Sequence, residues 1–120
     1  IKDIKHSSIE AKAVALRVLR TMDFTAIVCA SDIIALGVIQ ATKELNISVP
    51  RQLSVTGFDG VGIDLMTDPR LTTMKQPVFE IGRRLAGILV ERINNKEKNY
   101  TYRHETISTT LEIRDSTAKI

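Results

Sequence analysis

The chain has no tryptophan and carries only two tyrosines, three phenylalanines, three prolines and one cysteine among its 120 residues. Each shortage closes off something. With Cys29 as the single thiol, no intrachain disulfide can form, and its place inside the apolar run TAIVCA suits a reducing compartment. Cys29 also lacks the electropositive surroundings that activate a nucleophile. The two histidines, His6 and His104, lie far apart, so with one cysteine there is no metal-ligand spacing, and no metal or cofactor is expected. Aromatics are 4% of the residues, and no basic stripe is interleaved with them, so the footprint of a nucleic-acid surface is missing. No apolar run approaches the ~20 residues a membrane span needs, and the N-terminal stretch has no signal-peptide pattern. Gly60 and Gly62 do not complete a G-x-G-x-x-G, which excludes a dinucleotide-type phosphate loop.

What is present fits one ordinary globular domain, with 43% hydrophobic and 26% charged residues. The net charge of +3 comes from 17 basic and 14 acidic residues spread along the chain. Only Arg83, Arg84, Arg92, Lys96 and Lys98 gather loosely, and they read as a solvated helix face.

Periodicity predicts a first helix over residues 7–22. Ser7 and Glu10 form an S-x-x-E capping box, and Ala11, Val14, Ala15, Val18, Leu19 and Met22 share one face. Residues 25–30 form a short unalternating apolar run, as for a strand covered on both faces. A second helix follows over residues 33–45, with Ser31 or Asp32 as N-cap, Asn46 as a left-handed stop and Pro50 beyond it. Residues 53–57 read as the next buried strand, 58–69 as a loop and 71–75 as extended chain. Pro77 opens a third helix running to residue 93, whose apolar face carries Val78, Ile81, Leu85, Ile88 and Leu89. Residues 106–114 alternate cleanly and predict a strand near a sheet edge.

Helix–strand–helix–strand calls for right-handed crossovers and an α/β fold, a mostly parallel sheet with helices on both faces. Ligands of such sheets sit beyond the carboxyl ends of the strands. The two loops there place Ser31, Asp32 and Asp59 at strand ends, each with an acceptor side chain. The residues alone leave plain alternatives open: Asp59 as a turn residue, Ser31 and Asp32 as helix caps, and His6 as a solvated residue before a helix.

The same loops carry a family resemblance. TAIVCASDIIALG over residues 25–37 resembles the LacI/GalR pattern of an apolar strand running into N-D-x-x-A-L-G. SVPRQLSVTGFD over 48–59 resembles that family's V-P-x-D-x-S-V-x-G-F-D, and PRLTTMKQP over 69–77 its P-x-L-T-T-V-x-Q-P. IRDST over 113–117 is similar to its closing I-x-R-x-S-T. The four occur in order and cover roughly residues 6–117.

The resemblance implies the C-terminal part of a periplasmic-binding-protein-like effector-binding and dimerisation core, spanning residues 1–120. On this reading the helix-turn-helix, the hinge and most of the N-terminal lobe have no counterpart here. The implied role is effector sensing for a cytoplasmic DNA-binding regulator, not catalysis. The rival of the same fold is one lobe of a secreted or periplasmic sugar receptor. Asp59 matches the aspartate that bonds effector hydroxyls, and Ser31 stands where an asparagine is usual. His6 falls near a stacking aromatic, Val78 replaces an aromatic of some members, and Gly60 replaces a frequent second aspartate. Asp32 is implied as a cap and loop anchor. Expected partners are a small effector, a sugar or related metabolite, and a second copy of the chain. Pairing is expected through the second helix and residues 61–67, with Ile33, Ile34, Val61, Ile63 and Leu65. DNA would be touched only by the missing segment. The third helix would pack on missing protein, leaving its apolar stripe in need of other cover.

Overall fold

A computed structural model of the chain describes residues 7–94 and 102–119. The elements in chain order are α1 (Ser8–Leu19), β1 (Ala26–Val28), α2 (Asp32–Glu44), β2 (Ser54–Asp59), the single turn α3 (Ile63–Met66), β3 (Thr72–Lys75), α4 (Val78–Asn94) and β4 (Thr110–Glu112). The sheet runs β1-β2-β3-β4, with the first three strands parallel and β4 antiparallel to β3. This is the expected mostly parallel α/β sheet flanked by helices.

Small residues let α1 and α2 lie close together. Ala11, Ala15, Ala35 and Ala41 are buried between or beneath the two helices. At Gly37 an added Cβ would stand 2.3 Å from the Ser8 carbonyl oxygen and 2.7 Å from the Ala11 Cβ. Below them Val38 and Ile39 meet Cys29, Leu53, Val55 and Leu71, and Leu16, Leu19, Phe24, Ile27 and Ile34 close the edges of this core. Leu53 and Leu71 are wholly buried, which removes about 1.5–3 kcal/mol of apolar surface free energy from water for each.

The local stops behave as expected. Asn46 takes a left-handed φ of 56° just after the C-cap Leu45, and Pro77 immediately precedes α4. Other expectations change. Ser7 is the N-cap of α1, but its side chain makes no capping bond, and the helix ends at Leu19, leaving Met22 exposed. β1 is covered on one face only. Ile27 turns toward the core, whereas Val28 is 84% exposed. The reason is that α1 and α2 contribute to the same core, so the opposite side of β1 has no cover among the described residues. The last strand shrinks to Thr110–Glu112, because β3 offers it only three partners; Leu111 and Ile113 stay exposed. The loop at 58–69 contains α3, and β2 runs on to Asp59. Helix α4 has no buried residue, so its apolar stripe lies open, as the resemblance implied.

The IRDST segment returns to stitch β2 to β3. The Ser116 amide donates to the Arg70 carbonyl and its hydroxyl to the Val55 carbonyl, while its own oxygens accept from the Val55 and Thr72 amides. Ser116 is fully buried. A serine there satisfies backbone groups of both strands just where their direct pairing begins, at Thr56 and Thr72.

Two outcomes follow for this core. Gly37→Ala should lower stability by about 1–3 kcal/mol in urea unfolding, since the new methyl meets backbone. Gly82→Ala, with open space around it on α4, should cause no loss. Burial, and behind it the charge of Asp32, pushes the Cys29 thiol from 9.0 up to about 12. The folded state therefore holds the proton more tightly than the unfolded chain. The stability this contributes is present in full below pH 9 and is lost as pH rises toward about 12. Iodoacetamide at pH 8 should label Cys29 only after denaturation; rapid labelling of the native chain would contradict its burial.

Candidate functional site

At the carboxyl ends of the parallel strands three loops converge, carrying Ser31-Asp32, Asp59-Gly60 and Gln76-Pro77. Ser31 is the N-cap of α2: its backbone is extended and its hydroxyl accepts the Ile34 amide at 3.4 Å. At 2% exposure it faces inward. The cap is thus Ser31 and not Asp32, which is the first helical residue and sends its carboxylate elsewhere. Asp32 Oδ2 accepts the Gly60 amide at 2.8 Å, and Oδ1 accepts the Thr73 hydroxyl at 2.6 Å. The side chain is completely buried, and both oxygens are satisfied, as a buried carboxylate requires.

Asp59, the last residue of β2, is half-buried with φ at 121°. That conformation costs a non-glycine residue on the order of 1–3 kcal/mol, so the surroundings must hold it. Gln76 does so from the next strand end. Its amide donates to the Asp59 carbonyl at 2.9 Å, and its Nε2 donates to Asp59 Oδ1 at 2.8 Å. Asp59 Oδ2 has no partner among the described residues. Gly60 follows at φ 67°, and a Cβ on it would lie 2.7 Å from the Lys75 Cα. A side chain at that position would require the Lys75 backbone to shift.

Beside these residues a shallow recess of about 480 Å³ is lined by Gly60, Val61, Lys75, Gln76, Pro77, Val78, Phe79 and Glu80. Val78, in the first turn of α4, is 54% exposed on its wall. His6 lies outside the described residues. A smaller recess of about 240 Å³ sits at the opposite strand ends, among Leu19, Met22, Phe24, Ile47 and Leu53, and includes neither Asp59 nor Gln76.

The loop onward from Gly60 is anchored a second time. Gly62 has φ 104° and donates its amide to Asp64 Oδ1 at 2.8 Å. Asp64 is 2% exposed, and its other oxygen meets the Arg114 guanidinium at 2.5 Å. Arg114 also donates to the Leu71 carbonyl at 2.8 Å. Between and beyond these anchors the apolar Val61, Leu65 and Met66 stay exposed. Of the other residues expected on a pairing surface, Ile33 and Ile63 are half-buried and Ile34 packs into the core. Sequence reasoning did not single out Thr73, Gln76, Asp64, Arg114 or Ser116. Except for Asp64, all lie within the LTTMKQP and IRDST strings, whose regularity was the available signal.

Among the described residues no group of His, Cys, Asp and Glu could hold a metal, and no helix is long and apolar enough to cross a membrane.

Comparison with known proteins places this arrangement. A family model described as a periplasmic binding protein-like domain matches residues 3–117. The HTH-type transcriptional regulator YvdE of Bacillus subtilis is 46% identical over 92 residues, covering 76% of this chain and 29% of that protein. The HTH-type transcriptional regulator MalR of Streptomyces coelicolor is 41% identical over 92 residues, covering 75% of this chain and 27% of that protein. The crystal structure of a LacI family transcriptional regulator from Enterococcus faecalis, with bound ribose, matches with a TM-score of 0.88 and 30% identity. That match covers 97% of this chain and 42% of the solved one. The chain therefore spans under a third of the length of these curated relatives. It belongs to the periplasmic-binding-protein-like domain family, in the form found in the effector-binding part of LacI-type transcriptional regulators.

Proposed function

We propose that residues 1–120 are the C-terminal part of the effector-binding and dimerisation core of a LacI-type DNA-binding repressor. The effector is a sugar or a related polyol metabolite, and the chain binds it without catalysing a reaction. The observation that carries this reading is the Asp59 carboxylate. One oxygen is fixed by Gln76, the other is unpartnered among the described residues, and Asp59 ends β2 between neighbours, Gly60 and Gln76, that line the recess. An acceptor with free lone pairs in a preset position suits vicinal hydroxyls. The relatives named as regulators support a regulator over a secreted receptor of the same fold, and with it a cytoplasmic setting.

In this mechanism the chain supplies one wall of a cleft whose other wall belongs to the N-terminal lobe. Effector bound to Asp59, with Val78 at the rim and Ser31 behind as the helix cap, favours one relative lobe orientation. Only its differential affinity for two orientations can shift DNA affinity. DNA itself is contacted by a helix-turn-helix outside this chain. A second copy pairs through α2 and the loop at 61–67, where Val61 and Leu65 are more than half exposed and Ile33, Ile34 and Ile63 are partly buried.

Asp59→Asn in the full-length regulator keeps the backbone tolerance and the Gln76 bond but loses the charge. It should weaken effector binding roughly 10–100-fold by calorimetry, the loss of a charged hydrogen bond, while thermal stability stays unchanged. An unaltered affinity would remove Asp59 from the site. Leu65→Glu should shift the regulator from dimer toward monomer in sedimentation; an intact dimer would place the pairing surface elsewhere.

A further inference from the structure

We infer that Asp32 is a positioning residue for effector recognition, acting on Asp59 through the Gly60 amide without touching the effector. This rests on the reading of Asp59 as the effector contact. Three observations converge. Asp59 sits at φ 121° and Gly60 at 67°, so two successive residues leave the extended conformation just where β2 ends. The peptide joining them places its N–H on Gly60, and that N–H donates to Asp32 Oδ2 at 2.8 Å. Asp32 in turn cannot follow the loop. It is wholly buried, pinned on Oδ1 by Thr73 at 2.6 Å and backed by Gly57, where a Cβ would intrude to 2.3 Å of that oxygen.

The Asp59 peptide is therefore gripped from two sides. Gln76 holds its carbonyl and one carboxylate oxygen from β3, and Asp32 holds the following amide from α2. Without the Asp32 grip only Gln76 opposes the unfavourable φ of Asp59, and a fraction of the chains relaxes toward the extended region. The carboxylate then leaves the position in which Gln76 holds it. An effector would have to restore the turn on binding, and its apparent affinity falls by the fraction of chains that hold the binding-competent turn. A carboxylate meets this role directly because it accepts two bonds at once in a buried place. An asparagine can still accept from Gly60 with Oδ1 if the Thr73 hydroxyl reverses to accept from its amide.

The test uses the full-length regulator with Asp32→Ala, Asp32→Asn and Thr73→Val, each read in two ways. The first reading is the three-bond coupling between the amide and Hα protons of Asp59 by NMR without ligand. This coupling is small for the φ seen here and large for an extended residue. The second is ribose affinity by calorimetry, at temperatures well below unfolding, with Gly37→Ala, where α2 meets α1, as a destabilised control. Asp32→Ala should raise the coupling and weaken ribose binding at least about 10-fold, and Asp32→Asn should restore most of both. Gly37→Ala should alter neither. Thr73→Val, which is nearly isosteric, should weaken binding about 3–10-fold, so it decides the matter if Asp32→Ala does not fold. An unchanged Asp59 coupling in both Asp32→Ala and Thr73→Val would overturn the inference. Because the coupling is read without ligand, that outcome is independent of the effector's identity. A changed coupling with Asp59→Asn still binding normally would instead sink the Asp59 contact itself.

Discussion

The Asp32 carboxylate holds together three segments that are distant in sequence: the start of α2, the turn after β2 and the middle of β3. A buried carboxylate is tolerable only when its oxygens are bonded, and its place in the first turn of α2 adds the favourable field of the helix N-terminus. Much of the surrounding sequence follows from accommodating it. Gly57 has no side chain because a Cβ would collide with Asp32 and Leu71. Thr73 supplies a fully buried hydroxyl to that carboxylate. Gly60 offers its amide in a conformation that leaves no room for a Cβ beside Lys75. The strings SDIIALG, VTGFDG and RLTTMKQP, separate in the chain, thus describe one hydrogen-bonded centre.

A second buried carboxylate, Asp64, acts in a similar way shortly after Asp59, within the stretch 59–67. It bonds the Gly62 amide and the Arg114 guanidinium, while its carbonyl accepts the Leu71 amide. Charged pairs of this kind are costly to bury, and removing one partner is commonly worth about 3–5 kcal/mol. Their use here is positional. Residues 59–67 carry the Asp59 carboxylate at one end and the exposed apolar Val61, Leu65 and Met66 beyond it, and both ends are tied to rigid elements. Two open apolar surfaces remain among the described residues, the stripe of α4 and the bare face around Val28, Leu111 and Ile113. A chain spanning 42% of a solved LacI-type regulator leaves much of that fold's packing outside it.

Legibility in the sequence varied with the range of the interaction. The α2 stop at Asn46 could be read because a left-handed residue after a helix is a local steric preference. Asp59 could be nominated because the end of a parallel strand is a known ligand position and β2 was readable from its apolar run. The Ser7–Glu10 capping box matched its pattern, yet the Ser7 side chain makes no capping bond. Ser31 and Asp32 were interchangeable as caps on paper, and only the position of the Gly60 amide separates them. Gln76 and Ser116 were visible as letters of motifs, but their partners lie 17 and 61 residues away, at Asp59 and Val55.

By itself, then, the sequence determined the three long helices and the α2 stop, the order of these helices and the strands, the glycines at turns and the acidic residue at the second strand end. These depend on backbone sterics, apolar periodicity and hydrogen bonds reaching a few residues, all of which are written locally. Tertiary structure alone decided which face of β1 is covered, where the Asp32 carboxylate points, and that Asp59 adopts a left-handed φ with one oxygen held and one open. Those outcomes are set by packing between segments tens of residues apart. A buried acceptor takes whatever donor the fold brings to it, and no local pattern specifies which one arrives.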